Sequence, residues 1–396
     1  MDIHLKRSII EHFCWISILF ILFFQSVLQN FSIISNVALL FFAIQQYPKM
    51  DNAKKRLTVI TIIWLLFLAG YSVLQGNQVG LVIRFCLIIM FVISAYLWKI
   101  EHAFFLKALY RVSFLLVIGL IVLEAYMFSL SESEYMFLRD NFFIANNMGD
   151  VFWWGVYYKL ELRGTPLVVF VYMLSYVADI FPKKNRKKIR VIYFVAVVFA
   201  GNFAYQLALV LFHLIYYIQS SLRSYQLFMR RVFFLFVFSL LVGGVLFAYI
   251  SSQMETKKEG SAQARYDQVE VLFDDMAQSP LTLFLGAGLG HTVNAKTSVR
   301  DYRGAIYFEV QTIYLFNQLG LVNFTILVLI NIILAFKYIK RKDLILVYCV
   351  YAAYASTNPY IWDTNHVVVI TSLLCAKSLI SSTRNDLKTR MVVAKV

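Results

Sequence analysis

The chain has 396 residues, of which 60% are hydrophobic and only 15% are charged, and its mean hydropathy is +0.69. A soluble protein of this size needs far more polar surface to cover its core, so the composition excludes an ordinary soluble enzyme or binding domain. The formal net charge of +15 would suit a nucleic-acid partner, but the basic residues are spread over short connections between apolar runs.

Apolar runs follow one another along the whole chain. The first, in MDIHLKRSIIEHFCWISILFILFF, has the basic start of a signal peptide but no small-residue cleavage site, so it predicts a retained helix. Runs such as TILVLINIILAF are apolar on every side, whereas strands of a membrane barrel would alternate in polarity. Spans are predicted at 13–30, 31–47, 57–74, 81–98, 112–130, 164–181, 191–201, 203–219, 232–250, 308–336, 344–356 and 367–381. The sequence therefore predicts an all-α polytopic membrane protein with about twelve transmembrane helices, forming one integral membrane domain over residues 1–396.

The run VIYFVAVVFAGNFAYQLALVLFHLIYYI is too long for one upright helix and short for two. GNFAYQ interrupts it in the middle. A tight two-helix hairpin keeps the basic connections on either side of the run, 182–190 and 220–231, on one side of the membrane. One helix would place them on opposite sides.

The basic connections predict the orientation. PKMDNAKKR, PKKNRKKIR, SLRSYQLFMRR, KYIKRKD and both termini fall on one side and hold most of the 37 Lys and Arg residues. By the positive-inside rule this side is cytoplasmic, so both termini are expected there. The surplus charge is thus a topology signal and a contact with anionic lipid head groups, and no nucleic-acid partner is expected.

Few charged or reactive side chains lie within the apolar runs. Arg84 and Glu124 are close enough to the ends of their spans to reach the outer interface by snorkelling. His213 is a single histidine in an aromatic helix, where a packing or hydrogen-bonding role is the expected one. The four cysteines have no paired spacing, so neither a disulfide framework nor a metal site is indicated; they are Cys14, Cys86, Cys349 and Cys375.

Polar residues are instead concentrated in two long connections on the outer side, 131–163 and 251–307. A carrier that rocks around a midplane site has little use for such loops, and its working charges should lie within the helices. The layout therefore favours chemistry at the outer face.

The second loop contains GAGLG, with Gly286, Gly288 and Gly290. Alternate glycines cradle a nucleotide phosphate when they follow a strand and open a helix, or when a lysine completes the loop, and neither context exists here. These glycines are expected to let the backbone turn sharply against the bundle, with amides available to an anion.

Five arginines lie in the outer loops although positive charge is depleted on that side. A guanidinium stays charged and can grip two phosphate oxygens in a planar fork. Arg163 stands at the membrane boundary and Arg265 lies in SAQARYDQVEVLFDDM, which has helical spacing. Any one of the five could equally be a solvated or head-group arginine. The set is Arg139, Arg163, Arg265, Arg300 and Arg303.

Glu309 is the last acid before an apolar run that has no further charge until Lys337. Partial desolvation at that edge would make it a better proton acceptor near neutral pH, which suits a general base. The alternative is a structural ion pair with Arg300 or Arg303.

These features resemble a known family. ARYDQVEVLFDDMAQSPLTLFLGAGLGH is similar to an arginine, a helix and a glycine turn in the Wzy-type O-antigen and capsule repeat-unit polymerases and the related O-antigen ligases. FEVQTIYLFNQLGLV is similar to a ligase segment that enters a helix, and STNPYIWD to an "NP" loop of the polymerases. This chain has Glu309 where the ligases carry a catalytic histidine, which favours the polymerases. It has Gly201 and Asn202 in place of the Ser-Arg pair of many relatives.

The resemblance implies an enzyme of the bacterial inner membrane whose substrate is an oligosaccharide repeat unit on a polyprenyl pyrophosphate. The growing chain would move from its lipid pyrophosphate onto a sugar hydroxyl of a second lipid-linked unit. The energy is stored in the sugar-pyrophosphate bond, so no cofactor or metal is expected. Glu309 and Arg265 would be catalytic, and Arg163, Arg300 and Arg303 would bind pyrophosphate. Further partners would be membrane lipids and a chain-length regulator protein.

Two other functions stay open. An O-antigen ligase, which transfers polymer to lipid A core, would require an essential histidine, and His291 is the only nearby candidate. A flippase or other carrier would perform no chemistry and would tolerate the loss of every outer arginine.

Overall fold

A computed structural model describes residues 2–146, 148–219, 224, 226–231, 233, 263–297, 301–305, 308–356 and 360–393. Almost all of the apolar run at 232–250, much of the second long connection and Arg300 lie outside the described residues. The described part is mostly helical, in agreement with the predicted fold class. It also contains a two-stranded antiparallel hairpin in the first long connection, which pairs Gly149 with Leu162 and Trp153 with Tyr158.

The helices are α1 (Asp2–Phe23), α2 (Ser32–Gln46), α3 (Asn52–Leu74), α4 (Val79–Ala95), α5 (His102–Met127), α6 (Glu132–Leu138), α7 (Thr165–Val177), α8 (Arg186–Ala200), α9 (Phe203–Gln219), α10 (Gln263–Ala277), α11 (Pro280–Leu285), α12 (Gln311–Tyr338), α13 (Lys342–Ser356) and α14 (Thr364–Val393). The strands are β1 (Gly149–Trp153) and β2 (Tyr158–Leu162).

Among the described residues, four helices are long and apolar enough to cross a membrane: α3, α5, α12 and the Thr364–Ser382 part of α14. Shorter apolar helices are Ile10–Phe23 of α1, α4, α7 and α9. Helix α3 exposes Ile60, Ile63 and Phe67, each more than 60% accessible and all on one face. Such a stripe is unfavourable in water and favourable in hydrocarbon, so it indicates contact with lipid.

The core is built around α7. From Leu167 to Leu174 every side chain of this helix is at most 4% exposed. Helices α5, α8, α9, α13 and α14 all pack against it. Because neighbouring helices, and not lipid, cover every face of this stretch, α7 lies at the centre of the bundle.

The basic connections meet at one end of the bundle. Lys54 Nζ donates to the carbonyl of Leu97 at 3.2 Å, and Lys377 Nζ donates to the carbonyl of Tyr338 at 2.5 Å. Lys54 Nζ also lies 5.5 Å from the ring centre of Tyr338, so the connections after α2, α4 and α12 share this end, which we call the basic end.

The β1–β2 hairpin lies at the opposite end, where it joins the ends of several helices. The backbone amide of Tyr158 donates to Glu124 Oε1 at 2.7 Å, at the end of α5. Glu124 is only 2% exposed, so the prediction that it snorkels to the interface is wrong: the hairpin covers it. Tyr354 Oη, at the end of α13, donates to the carbonyl of Pro166 at 2.9 Å.

Two glycines break apolar runs that are continuous in the sequence. Gly201, with φ 60°, ends α8 in the left-handed conformation, so the run at 191–219 folds as two helices. Gly320, with φ 67° and ψ 177°, interrupts α12. The predicted span at 308–336 is thus present as α12, with a break at Gly320 that the sequence did not predict.

Candidate functional site

Helix α10 lies against the first segment of α12. Arg265 Nε donates to Glu309 Oε2 at 3.0 Å, Gln268 Oε1 accepts from the backbone amide of Val310 at 3.3 Å, and Asn317 Nδ2 donates to the Leu272 carbonyl at 3.0 Å. Positions 265, 268 and 272 lie on one face of α10, and this face makes all three polar contacts with the start of α12. The predicted catalytic pair, Arg265 and Glu309, is therefore in direct contact.

The Arg265–Glu309 pair is accessible. The side chains are 43% and 28% exposed. Of the Arg265 guanidinium, only Nε is bonded to Glu309, and its two Nη groups have no hydrogen-bond partner among the described residues. Such an exposed pair contributes about 0–1 kcal/mol to stability, so stability alone gives little reason for it. The pair therefore places the Glu309 carboxylate beside Arg265 Nη groups that can still bind a ligand.

The Arg303 side chain binds a carboxylate within its own turn. Its Nε donates to Asp301 Oδ1 at 2.9 Å and to Oδ2 at 3.1 Å. Hydrogen bonds from the Arg303 side chain and backbone amide lower the pKa of Asp301 to about 2. The ion pair between Arg303 and Glu309, one of the alternatives that the sequence left open, is not found among the described residues, because the nearby carboxylate of Asp301 binds Arg303 instead. Arg300 lies outside the described residues.

Arg163 is fixed through its backbone at the junction of β2 and α7. Its amide donates to Ser26 Oγ at 2.9 Å. The next residue, Gly164, has no room for a side chain, since a Cβ would lie 1.9 Å from the carbonyl oxygen of Phe23. The half-buried Arg163 side chain has no ion-pair or hydrogen-bond partner in the part of the chain that the structure describes. The backbone of Arg163 is therefore held in place, while its guanidinium has no partner among the described residues.

The GAGLG segment turns sharply and is buried against the bundle. Gly286, Gly288 and Gly290 have φ values of 90°, 89° and 77°. A Cβ on Gly288 would lie 2.6 Å from Asn77 Nδ2, and one on Gly290 would lie 2.8 Å from Leu81 Cβ. Only glycine fits both the backbone conformation and the space.

The amides of this segment are all used within the chain. Those of Ala287 and Gly288 donate to the carbonyls of Asn317 and Gln318, each at 3.0 Å. Those of Leu289 and Gly290 donate to Ser72 Oγ at 2.7 Å and Gln318 Oε1 at 2.9 Å. The expectation that these amides are available to an anion is therefore wrong. The glycines act as a packing element that holds the break in α12.

Sequence reasoning missed a second polar cluster on α10. Asp275 Oδ2 accepts from Asn317 Nδ2 at 2.8 Å and lies 3.0 Å from His291 Nε2. Burial acts to raise the pKa of Asp275, but hydrogen bonds from His291 and Asn317 outweigh it and place the pKa below its ordinary value. Ten residues of helix separate Asp275 from Arg265, about 15 Å, so the two clusters are distinct.

A buried lysine was also missed. Lys159 on β2 is 3% exposed, forms an ion pair with Glu161, and lies 4.7 Å from the Phe152 ring centre. Its Cγ lies 2.0 Å from the position that a Cβ on Gly201 would occupy, so its stem covers the α8–α9 turn. The alternating pattern KLELR was the available signal for a strand, with Lys159 and Glu161 on one face.

The segment before α14 carries a further carboxyl. Asp363 Oδ1 accepts from the amides of Asn365 at 2.8 Å and His366 at 3.2 Å, as an N-cap does. Burial raises the pKa of Asp363 to about 8, against these hydrogen bonds and the charge of Arg84, which lower it. Arg84, in the second turn of α4, is thus close enough to Asp363 for its charge to oppose the rise of that pKa.

Within the described residues, no group of three or more His, Cys, Asp or Glu side chains could hold a metal ion. All four cysteines are free thiols. Comparisons with protein-family models, with curated proteins and with solved structures found no match to this chain.

Proposed function

We propose that this protein is a polysaccharide polymerase that joins polyprenyl-pyrophosphate-linked repeat units at the outer face of a bacterial inner membrane. The observation that carries the proposal is the contact between Arg265 and Glu309, which unites a base and a phosphate-binding cation at an accessible position. About twelve spans, cytoplasmic termini and two periplasmic loops belong to the same proposal.

The proposed reaction is a single glycosyl transfer. A hydroxyl oxygen of the acceptor sugar forms a bond to the anomeric carbon of the donor, and the bond from that carbon to the pyrophosphate oxygen breaks. Glu309 takes the proton of the hydroxyl as it attacks. The pyrophosphate lipid leaves as an anion, and Arg265 and Arg163 stabilise its developing charge. One displacement inverts the configuration at the anomeric carbon.

The side-chain exposures support these roles. The Nη groups of Arg265 have no partner among the described residues, so its guanidinium can donate hydrogen bonds to phosphate oxygens without first breaking the contact to Glu309. The lipid-facing stripes of helices such as α3 suit a substrate with a long apolar tail. A carrier without chemistry would have little use for an exposed acid-arginine pair beyond its helices.

The test is polymer formation by Glu309→Gln and Arg265→Lys in cells that lack the native protein, with membrane abundance measured in parallel. Glu309→Gln keeps size and removes the basic oxygen, so the rate should fall about 10²- to 10⁴-fold. Arg265→Lys keeps the charge but loses the fork and should stay defective. Glu270→Gln is the matched control, since Glu270 is exposed on the same helix. Normal polymer from normally abundant Glu309→Gln would refute the proposed role.

The ligase stays a second candidate because His291 has a carboxylate partner, an arrangement that orients a histidine for proton transfer. The two enzymes leave different products when deleted. Loss of a polymerase leaves single repeats on the lipid A core, whereas loss of a ligase leaves polymer on the carrier lipid. Polymer accumulating on carrier lipid in His291→Gln cells would favour the ligase.

A further inference from the structure

A basic depression lies at the start of α8. Its volume is about 730 Å³. Its charged lining residues are Lys183, Lys184, Arg186, Lys187, Lys188 and Arg190, with Asp179 as the one carboxylate. Asp179 is bound by Arg186 at 2.8 Å. The four lysines have no carboxylate partner among the described residues, so the depression has a large uncompensated positive charge.

A second depression, of about 290 Å³, adjoins the first and is largely apolar. It is lined by Tyr172, Tyr176, Val191 and Phe194, and it shares Lys187 and Arg190 with the basic depression. Val191 is 62% and Phe194 45% exposed, so this wall is open to the surroundings of the bundle. Cations thus stand at one end of an apolar groove.

The boundary between the two depressions is rigid. Arg190 Nε donates to Ser175 Oγ at 3.2 Å, and the guanidinium lies 4.1 Å from the ring centre of Tyr176. Tyr172 Oη lies 3.1 Å from Tyr176 Oη and 3.0 Å from His213 Nε2. His213 thus has a hydrogen-bond partner, one of the two roles expected from the sequence. The aromatic wall is held in place before any ligand arrives.

We infer that this paired depression binds an anionic phospholipid. The phosphate of the head group lies among Lys183, Lys184, Lys187 and Lys188, and an acyl chain follows the groove past Tyr176 and Phe194. Charge complementarity favours an anionic over a zwitterionic head group, since each lysine near an anionic lipid is worth a factor of roughly five in affinity. The adjoining apolar groove favours a lipid over a free phosphate. The inference depends on membrane insertion and is independent of glycosyl transfer.

The experiment measures binding of short-chain phosphatidylglycerol to the purified full chain in detergent. Lys183→Gln/Lys187→Gln is compared with Lys340→Gln/Lys342→Gln, a matched loss of two exposed charges at another basic connection. The first variant should bind about tenfold or more weakly, and the control within about twofold of the native chain. Unchanged thermal unfolding checks that both variants fold.

Two further probes test whether binding depends on the anionic head group and on the acyl chains. Phosphatidylcholine with the same chains and glycerophosphoglycerol without chains should each bind at least about tenfold more weakly than phosphatidylglycerol. Equal binding of phosphatidylcholine would overturn the head-group assignment. Equal binding of glycerophosphoglycerol or inorganic phosphate would show a free-phosphate site and overturn the lipid assignment. Equal losses in the two double variants would reduce the effect to general surface charge and also overturn it.

Discussion

Two arginines of the first long connection differ in whether a carboxylate neutralises their charge. Arg139 and Arg163 both lie in the first long connection, but Asp150 binds Arg139 through Nε at 2.9 Å and Nη2 at 3.1 Å. Arg163 has no such partner in the described part of the chain. The proposed function therefore separates them: Arg139 stabilises the loop, and Arg163 is available to substrate.

Arg163→Ala should lower polymer formation by about 10²-fold, by analogy with removing one group that stabilises developing charge, and leave membrane abundance unchanged. Arg163→Lys should recover only part of the activity, because the bidentate fork is lost. Arg139→Ala is the contrasting variant and should cost about 0.5–1 kcal/mol of stability, since its pair is partly exposed. The measurements are polymer length in cells and thermal unfolding of purified protein. Reduced abundance with full specific activity in Arg163→Ala would make this arginine structural.

The candidate site was only partly predictable at this scale. Glu309 and Arg265 were identifiable because few charges border the apolar runs, but their contact joins residues 44 positions apart and depends on how α10 packs. Arg303 has its partner two residues away, a local pairing that the sequence already contains. Asp275 has no local signal, because its partners His291 and Asn317 arrive through tertiary packing.

At the scale of elements, glycines decide where helices break. Gly320 would place a Cβ 2.2 Å from the amide nitrogen of Gly286, so the break in α12 and the GAGLG turn fit only together. Hydropathy could not predict this break, since the run as a whole is strongly apolar although Asn317, Gln318 and Asn323 flank Gly320. In α5 the sequence instead predicted too short a helix. The helix begins at His102, ten residues before the predicted span at 112–130, because it continues through the charged residues at the membrane edge.

Gly288→Ala tests the packing role of the turn. The new Cβ would lie 3.0 Å from Ser72 Cα in a backbone with φ 89°, so both space and conformation oppose it. We expect a loss of about 1–3 kcal/mol in the free energy of unfolding. Gly119→Ala in α5 is the control, since nothing lies within 4 Å of its added Cβ, and it should change stability by at most about 1 kcal/mol, toward greater stability. Thermal unfolding in detergent measures both; equal stability of the two variants would contradict the packing role.

At the scale of the whole molecule, the two ends of the bundle differ in chemistry. The basic end carries the short connections rich in Lys and Arg, and the paired depression lies at the start of α8. The opposite end carries the hairpin, where hydrogen bonds join β2 to α5, the β2–α7 junction to the segment after α1, and α13 to α7. This difference between the two ends was predictable, because counting the charges in each connection requires no knowledge of tertiary contacts. The hairpin itself was not predicted, since its short strands lie in an aromatic connection.

The orientation of these ends is the last prediction. If the basic end faces the cytoplasm, single cysteines introduced near 145 and 260 should react with a membrane-impermeant thiol reagent in intact spheroplasts, and one at Asn185 should react only after lysis. Ala145 and Asn185 are both exposed in the structure, so a difference between them reports sidedness and not burial. The reporter background replaces all four native cysteines, with Cys349 the most important because it is the exposed one among them. Labelling at 185 without lysis would reverse the topology, and it would place Arg265 and Glu309 in the cytoplasm, away from the substrates of the proposed reaction.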